Sequence, residues 1–267
     1  MNANLLGFTH PRVQRLRRLV GRRSARLEEN AFVVEGAKVV TEALASGWRI
    51  EALYVVGGTE DQLIEQALAD GVSVYDMAPG VMERISDTQT PQPILAVVEM
   101  MATDLDTLRP ALTEGGFAVI GVDVRDPGNA GTLVRSAEAA GACGVVLCEG
   151  SVELTNPKTV RASAGSLFHL PVVCGPGVDA VLQALGAMGV RRWGTSSAAA
   201  DAPIDYTAAD LSGPTAIVVG NEAHGLPTGL DLDGYMTIPM AGRSESLNVG
   251  VATAVLCFEA ARQRRLV

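Results

Sequence analysis

Phe117-Ala118-Val119-Ile120-Gly121-Val122-Asp123-Val124-Arg125-Asp126-Pro127-Gly128-Asn129-Ala130-Gly131 is the stretch on which the reading of the fold turns. The run 117–122 is apolar and short, as a strand buried on both faces must be. The turn Asp126-Pro127-Gly128-Asn129 then feeds a helical pattern over 130–140. The same alternation continues downstream. A strand at 144–147 precedes a helix opening at Asn156-Pro157, where Asn caps and Pro takes the first helical position. A strand at 170–174 and a helix at 178–188 come next. Strands at 192–195, 216–219 and 235–238 lead to an amphipathic helix over 247–264. Strand and helix in regular turn predict an α/β fold with a mainly parallel sheet. In the last helix Leu247, Val251, Val255 and Phe258 share one stripe, which is either core or a dimer interface.

Upstream the pattern is similar but smaller. A basic helix is expected over 11–27, strands at 31–34, 52–56, 72–76 and 94–99, and helices at 37–45 and 61–69. Residues 100–116 are mixed and end in Gly115-Gly116, which places a boundary there. The expected division is a small α/β domain over 1–104, a linker over 105–116 and a second domain over 117–267.

The whole chain has 267 residues, 48% hydrophobic and 19% charged, enough for two cores and too apolar for a disordered chain. No apolar run reaches the ~18–20 residues of a membrane span and no signal-like stretch opens the sequence, so a cytoplasmic location is expected. Cys143, Cys148, Cys174 and Cys257 form no C-x-x-C pair, which speaks against a zinc ribbon or a disulfide scaffold.

A net charge of −9 argues against a nucleic-acid partner, but the distribution argues back. Residues 1–27 carry seven arginines and no acid, leaving 14 bases against all 30 acids in the remainder. On one helix, Arg15, Arg18, Arg22 and Arg26 fall on one face, either a phosphate track for RNA or a solvated surface.

Three segments after strands could carry chemistry, since ligands of open α/β sheets sit at the carboxyl ends of strands. They are 123–135, 219–226 and 238–249. Gly128 and Gly131 permit close backbone approach at a helix start suited to an anion, and Arg135 follows within reach of a phosphate. Neither a P-loop nor a G-x-G-x-x-G fingerprint is present, and His10, His169 and His224 stand near no nucleophile elbow. Asp123 and Asp126 read as turn formers, Asn129 and Ser246 are each placed to cap a helix, and Glu222 to cap a turn.

In order and spacing the three segments resemble the signature motifs of the SpoU (TrmH) family of RNA 2′-O-ribose methyltransferases, in the SPOUT superfamily. The first matches as Asn129-Ala130-Gly131 with Arg135, the second as Gly220-Asn221-Glu222 with Gly225, the third as Ile238-Pro239-Met240 with Ser246-Leu247-Asn248-Val249. Arg161-Ala162-Ser163-Ala164-Gly165-Ser166 is similar to a further family segment. Phe32-Val33-Val34-Glu35-Gly36 resembles the start of an L30e-like RNA-binding domain. The resemblance implies a C-terminal domain with a deep trefoil knot, S-adenosylmethionine as cofactor, no metal, and a homodimer through the catalytic domain. It implies Arg135, Asn129, Glu222, Ser246 and Asn248 as the catalytic set, and Thr195, Ser196, Gly220, Ile238 and Leu247 as the cofactor cradle. The substrate it implies is ribosomal RNA, 23S first. The alternatives are a transfer-RNA enzyme and a knotted RNA-binding protein without activity.

Overall fold

The computed structural model describes residues 5–196 and 202–265. The chain opens with α1 (Pro11–Gly21), α2 (Arg23–Glu29), β1 (Ala31–Glu35), α3 (Ala37–Ala45), β2 (Ile50–Val56), α4 (Gln62–Ala69), β3 (Ser73–Met77), α5 (Met82–Ile85) and β4 (Ile94–Glu99). A short 3-10 turn, Leu105–Leu108, then leads into α6 (Arg109–Thr113), β5 (Phe117–Gly121), α7 (Pro127–Ala139), β6 (Gly144–Leu147) and α8 (Pro157–Ser163). The chain continues through β7 (Val172–Cys174), α9 (Val178–Ala187), β8 (Arg191–Thr195), β9 (Ile204–Asp205), β10 (Thr215–Val219), β11 (Gly234–Thr237) and α10 (Val249–Arg264). Two compact units result: Met1–Met101 with Thr155–Phe168, and Ala102–Leu154 with His169–Val267.

The first unit is built on a four-stranded sheet in the order β1-β4-β2-β3. Its core includes Val13, Leu16 and Leu19, one face of α1, packed with Tyr54, Leu95 and Val97. The segment carrying α8 belongs to this unit although it lies between β6 and β7. Its Arg161 binds Asp87 through both guanidinium nitrogens, at 2.6 and 3.1 Å. Beside α8, Phe168 stacks on Phe32 and meets Trp48 edge-on.

Two expectations need correction here. The single basic helix over 11–27 is two helices, because Arg22 is extended (φ −134°, ψ 119°) between α1 and α2. The predicted arginine face therefore does not exist. Arg26 is 4% exposed and donates to the carbonyls of Leu19 (2.6 Å) and Val20 (3.2 Å), capping the free end of α1. Arg15 is held by Glu29 and Glu51, and Arg18 by Glu29. Of the four, only Arg22 is exposed without a partner. The expected linker over 105–116 is not a free connector either: Leu108 and Leu112 are buried in the second core.

The second unit holds seven strands, all parallel, in the order β7-β6-β5-β10-β8-β11-β9. From β5 the chain winds outward through β6 and β7, then returns to the far side, so β5 and β10 flank the point where the strand order reverses. Such a reversal leaves a crevice at the carboxyl ends of the two strands. Both strands read as continuous apolar runs because helices cover them on each face. No helix among the described residues is long and apolar enough to cross a membrane.

The Arg26 cap gives a stability prediction. Arg26→Met keeps the apolar stem and removes the donors, leaving two carbonyls unsatisfied. Urea unfolding should show a loss of about 1.5–3 kcal/mol, the range for hydrogen bonds from a charged group. A variant as stable as the parent would contradict this role.

Candidate active site

The loop after β5 and the loop after β10 meet at the reversal point. Asp123 takes a left-handed backbone conformation (φ 54°) that turns the chain out of the sheet. Asn221 fastens the two loops: its Nδ2 donates to the Asp123 carbonyl (3.0 Å) and to Asp123 Oδ2 (3.2 Å). Its Oδ1 accepts from the backbone N–H groups of Ala223 and His224 at 2.9 and 3.2 Å. Asp123 also pairs with Arg125 at 2.8 Å, and this hydrogen bond raises the guanidinium pKa above its ordinary value.

The loop 220–225 is closed on itself. Asn221 and Gly225 exchange both backbone hydrogen bonds, at 3.0 and 2.9 Å, with Gly225 at φ 68°. A Cβ on Gly220 would stand 2.3 Å from the Gly225 carbonyl carbon, so only glycine allows this closure. Glu222 is thereby presented outward at the crevice.

Three of the predicted catalytic residues form one directed chain. Asn248 is the N-cap of α10, its Oδ1 accepting from the N–H groups of Gly250 (3.0 Å) and Val251 (3.3 Å). Because those backbone donors require the oxygen, the Asn248 amide nitrogen must face the other way. It donates to Asn129 Oδ1 at 2.8 Å. That in turn fixes Asn129 Nδ2, which donates to Glu222 Oε1 at 2.7 Å. Asn129 itself is held by Asp126, the N-cap of α7, whose Oδ1 accepts the Asn129 N–H at 2.8 Å. A helix cap thus dictates, through two amides, where a carboxylate stands.

The remaining predicted residues sit around this chain. Thr195 ends β8, and its hydroxyl donates to the Val218 carbonyl at 3.2 Å. Ser196 follows, its N–H donating to the Met236 carbonyl at 3.1 Å and locking β8 to β11. Gly220 and Ile238 follow β10 and β11 directly, so these four share the carboxyl edge of three neighbouring strands. Leu247 is exposed just before Asn248. Ser246 does not cap α10, since Asn248 does so two residues later; the Ser246 carbonyl accepts from Ser244 Oγ at 2.8 Å. The helix accordingly starts at Val249 rather than Leu247. Arg135 lies two turns along α7, exposed, its side chain without a partner among the described residues, and does not join the Asn129 chain.

Sequence reasoning read Asn221 only as part of the second motif and Asp123 only as a turn former, and it missed Gly250. A Cβ on Gly250 would lie 2.9 Å from Thr132 Cγ2, so its absence lets α10 approach α7 closely enough for the two asparagines to touch. A glycine one turn into a helix carried the signal.

Comparison with known proteins identifies the family. The SpoU rRNA Methylase family matches residues 116–258, and the MRM3-like substrate binding domain matches residues 10–96. This chain belongs to the SpoU rRNA methylase family. A 23S rRNA guanosine 2′-O-methyltransferase of Bacillus subtilis, RlmP, is 36% identical over 87% of this chain and 89% of its own length. A 23S rRNA uridine 2′-O-methyltransferase of Streptomyces viridochromogenes is 32% identical over 95% of this chain and 90% of its own. The crystal structure of the SpoU methyltransferase AviRb from that organism, in complex with AdoMet, superposes with a TM-score of 0.85. It is 30% identical and covers 97% of this chain and all of the other.

SpoU methyltransferases use S-adenosylmethionine, and the edge described here fits it. Thr195, Ser196, Gly220, Ile238 and Leu247 offer hydroxyls, strand-end peptides and two aliphatic side chains, with no charge among them. Peptide groups can read an adenine edge while aliphatic side chains cover its faces.

The Gly250 contact makes a sharp prediction, because two effects oppose each other. Gly→Ala inside a helix ordinarily stabilises by about 0.5–1 kcal/mol. At Gly250 the new methyl meets Thr132, so Gly250→Ala should instead destabilise, by about 1–3 kcal/mol, and methyl transfer should fall with it. Thr132→Ser, which removes the obstructing Cγ2, should restore part of both in the double variant. A Gly250→Ala protein that is more stable and fully active would refute the close-approach argument.

Proposed function

We propose that this SpoU-family chain methylates a ribose 2′-hydroxyl of 23S ribosomal RNA, with S-adenosylmethionine as donor and two copies of the chain forming the working enzyme. The observation that carries the reading is the Asn248–Asn129–Glu222 chain at the switch point of the sheet, with an uncommitted Arg135 on the same helix as Asn129. The supporting relatives are named as 23S rRNA 2′-O-methyltransferases and span nearly the whole chain.

Arg135 is the residue for the RNA. A guanidinium does not lose its proton in a protein, so Arg135 is no base. It binds the phosphate next to the target ribose and stabilises negative charge developing on the 2′-oxygen. Glu222, with Oε1 engaged by Asn129, keeps Oε2 to accept a hydrogen bond from the hydroxyl, orient it and take up its proton as the oxygen is methylated. When bound, the cofactor supplies an electrophilic sulfonium methyl. Thr195, Ser196, Gly220, Ile238 and Leu247 hold it so that the ribose oxygen and the methyl are aligned, which turns an encounter into a unimolecular step. The trefoil knot belongs to this reading through the family.

Val251 and Phe258 on α10 are exposed at 49% and 50%, and Leu247 just before the helix at 37%, apolar surface that a second copy would cover. Light scattering of the full chain should report a dimer, and Phe258→Asp should shift it towards monomer. A wild-type monomer at micromolar concentration would remove the dimer from the account.

The function itself is tested by mapping ribose methylation in 23S rRNA from cells with and without the protein. One 2′-O-methyl group should vanish with the gene. Arg135→Ala should fail to restore it, while calorimetry shows cofactor affinity within about threefold of wild type, since Arg135 serves the RNA. An unchanged methylation map, or an active Arg135→Ala enzyme, would overturn the assignment.

A further inference from the structure

The arginines that the first unit leaves free converge elsewhere than on the predicted face. Arg17 on α1 and Arg84 on α5 approach the same ring, Phe8, with guanidinium carbons 5.8 and 5.0 Å from its centroid. Phe8 is half-buried and its backbone is anchored. Leu6, two residues before it, exchanges hydrogen bonds with the end of β3, Leu6 N–H to the Asp76 carbonyl (2.8 Å) and Ala78 N–H to the Leu6 carbonyl (3.0 Å). Gln14 of α1 donates to the Phe8 carbonyl.

Two features set this cluster apart. Among the described residues the guanidinium of neither Arg17 nor Arg84 makes an ion pair or a hydrogen bond, although the chain carries 30 acids against 21 bases. By contrast Arg15, Arg18, Arg161 and Arg192 each hold carboxylates. Two like charges drawn to one ring also repel each other, and an anion between them removes that repulsion. The ring holds each guanidinium by a cation–π contact, which leaves its N–H groups to donate.

We propose that Phe8, Arg17 and Arg84 form a phosphate-docking site for single-stranded RNA. The inference rests on the RNA-methylating role proposed above. RNA fits the combination better than an acidic peptide does. The guanidiniums take adjacent phosphates bidentately, and the part-exposed ring offers a base a face to stack on. Contacts of this kind position the substrate without reading its sequence.

The test uses the full-length protein and a fluorescein-labelled single-stranded oligouridylate, with anisotropy read across a KCl series. Each phosphate contact adds about 0.7 to the slope of log affinity against log salt, so Arg17→Gln/Arg84→Gln should make it shallower by about 1.4. Referred to 1 M salt, that is roughly a 25-fold loss of affinity at 0.1 M. Arg17→Lys/Arg84→Lys keeps both charges and should keep the slope, so a folding defect cannot imitate the result. Arg15→Gln/Arg18→Gln should leave the slope alone, because those side chains are engaged by Glu29 and Glu51. An unchanged slope in the Arg17/Arg84 double variant, an equal effect from the Arg15/Arg18 pair, or equal competition by polyglutamate would overturn the site. Methyl incorporation into 23S rRNA by the wild type, assayed in parallel, separates the two readings. Incorporation with an unchanged slope removes only the docking site. A changed slope without incorporation removes only the proposed activity.

Discussion

The candidate active edge of this protein depends on a chain of side-chain amides whose direction is set by a helix terminus. The first N–H groups of α10 have no partner within the helix and need an acceptor. Asn248 supplies it, and by committing its oxygen commits its nitrogen as well. Asn129 is then left one arrangement, and Glu222 receives the proton-bearing end. Each member carries a polar group that would lose a partner if the chain reversed, so the geometry is held by a backbone requirement rather than by packing alone.

Everything around that chain serves to bring its members together. They are remote in sequence: 119 residues separate Asn129 from Asn248, and 93 separate Asn129 from Glu222. The parallel sheet closes one gap by placing β5 beside β10, with their carboxyl ends level. Asn221 and Asp123 then fasten the two emerging loops. The contact between α7 and α10 closes the other gap, and it needs the missing side chain at Gly250. In the first unit, carboxylates fix Arg15 and Arg18 of α1. Burial pushes the Glu29 carboxyl up, yet Arg15 and Arg18 hold it below its ordinary range.

Much of this was legible in the sequence where the signal was local. In the second unit β5, β6, β7 and β10 read as apolar runs, and every strand but two-residue β9 is legible to within about two residues, as is the turn into α7. What the sequence hid is long-range. Nothing near Arg15 says that Glu51, 36 residues on, will claim it. A helical wheel drawn through Arg22 could not foresee a break there, so Arg26 looked like a surface residue and is a buried cap. Leu108 and Leu112 occupy pieces too short for periodicity, and Gly115-Gly116 made the segment look like a linker. At the site, residue types were readable from motif resemblance, but Ser246 and Asn248 compete for the same cap and only the structure shows which one serves.

The claim that the amides act as one unit is tested most directly by a double-mutant cycle on kcat/KM for methyl transfer, with Asn129→Ala and Asn248→Ser. Serine still caps the helix but has no amide to donate. If the chain is a single device, either substitution already releases Glu222, and the double variant should be little worse than the poorer single. The coupling energy should then approach the single-variant effect, about 1–3 kcal/mol. Losses that simply multiply, with coupling below about 0.3 kcal/mol, would mean that the two asparagines act independently and that the chain does not organise the site.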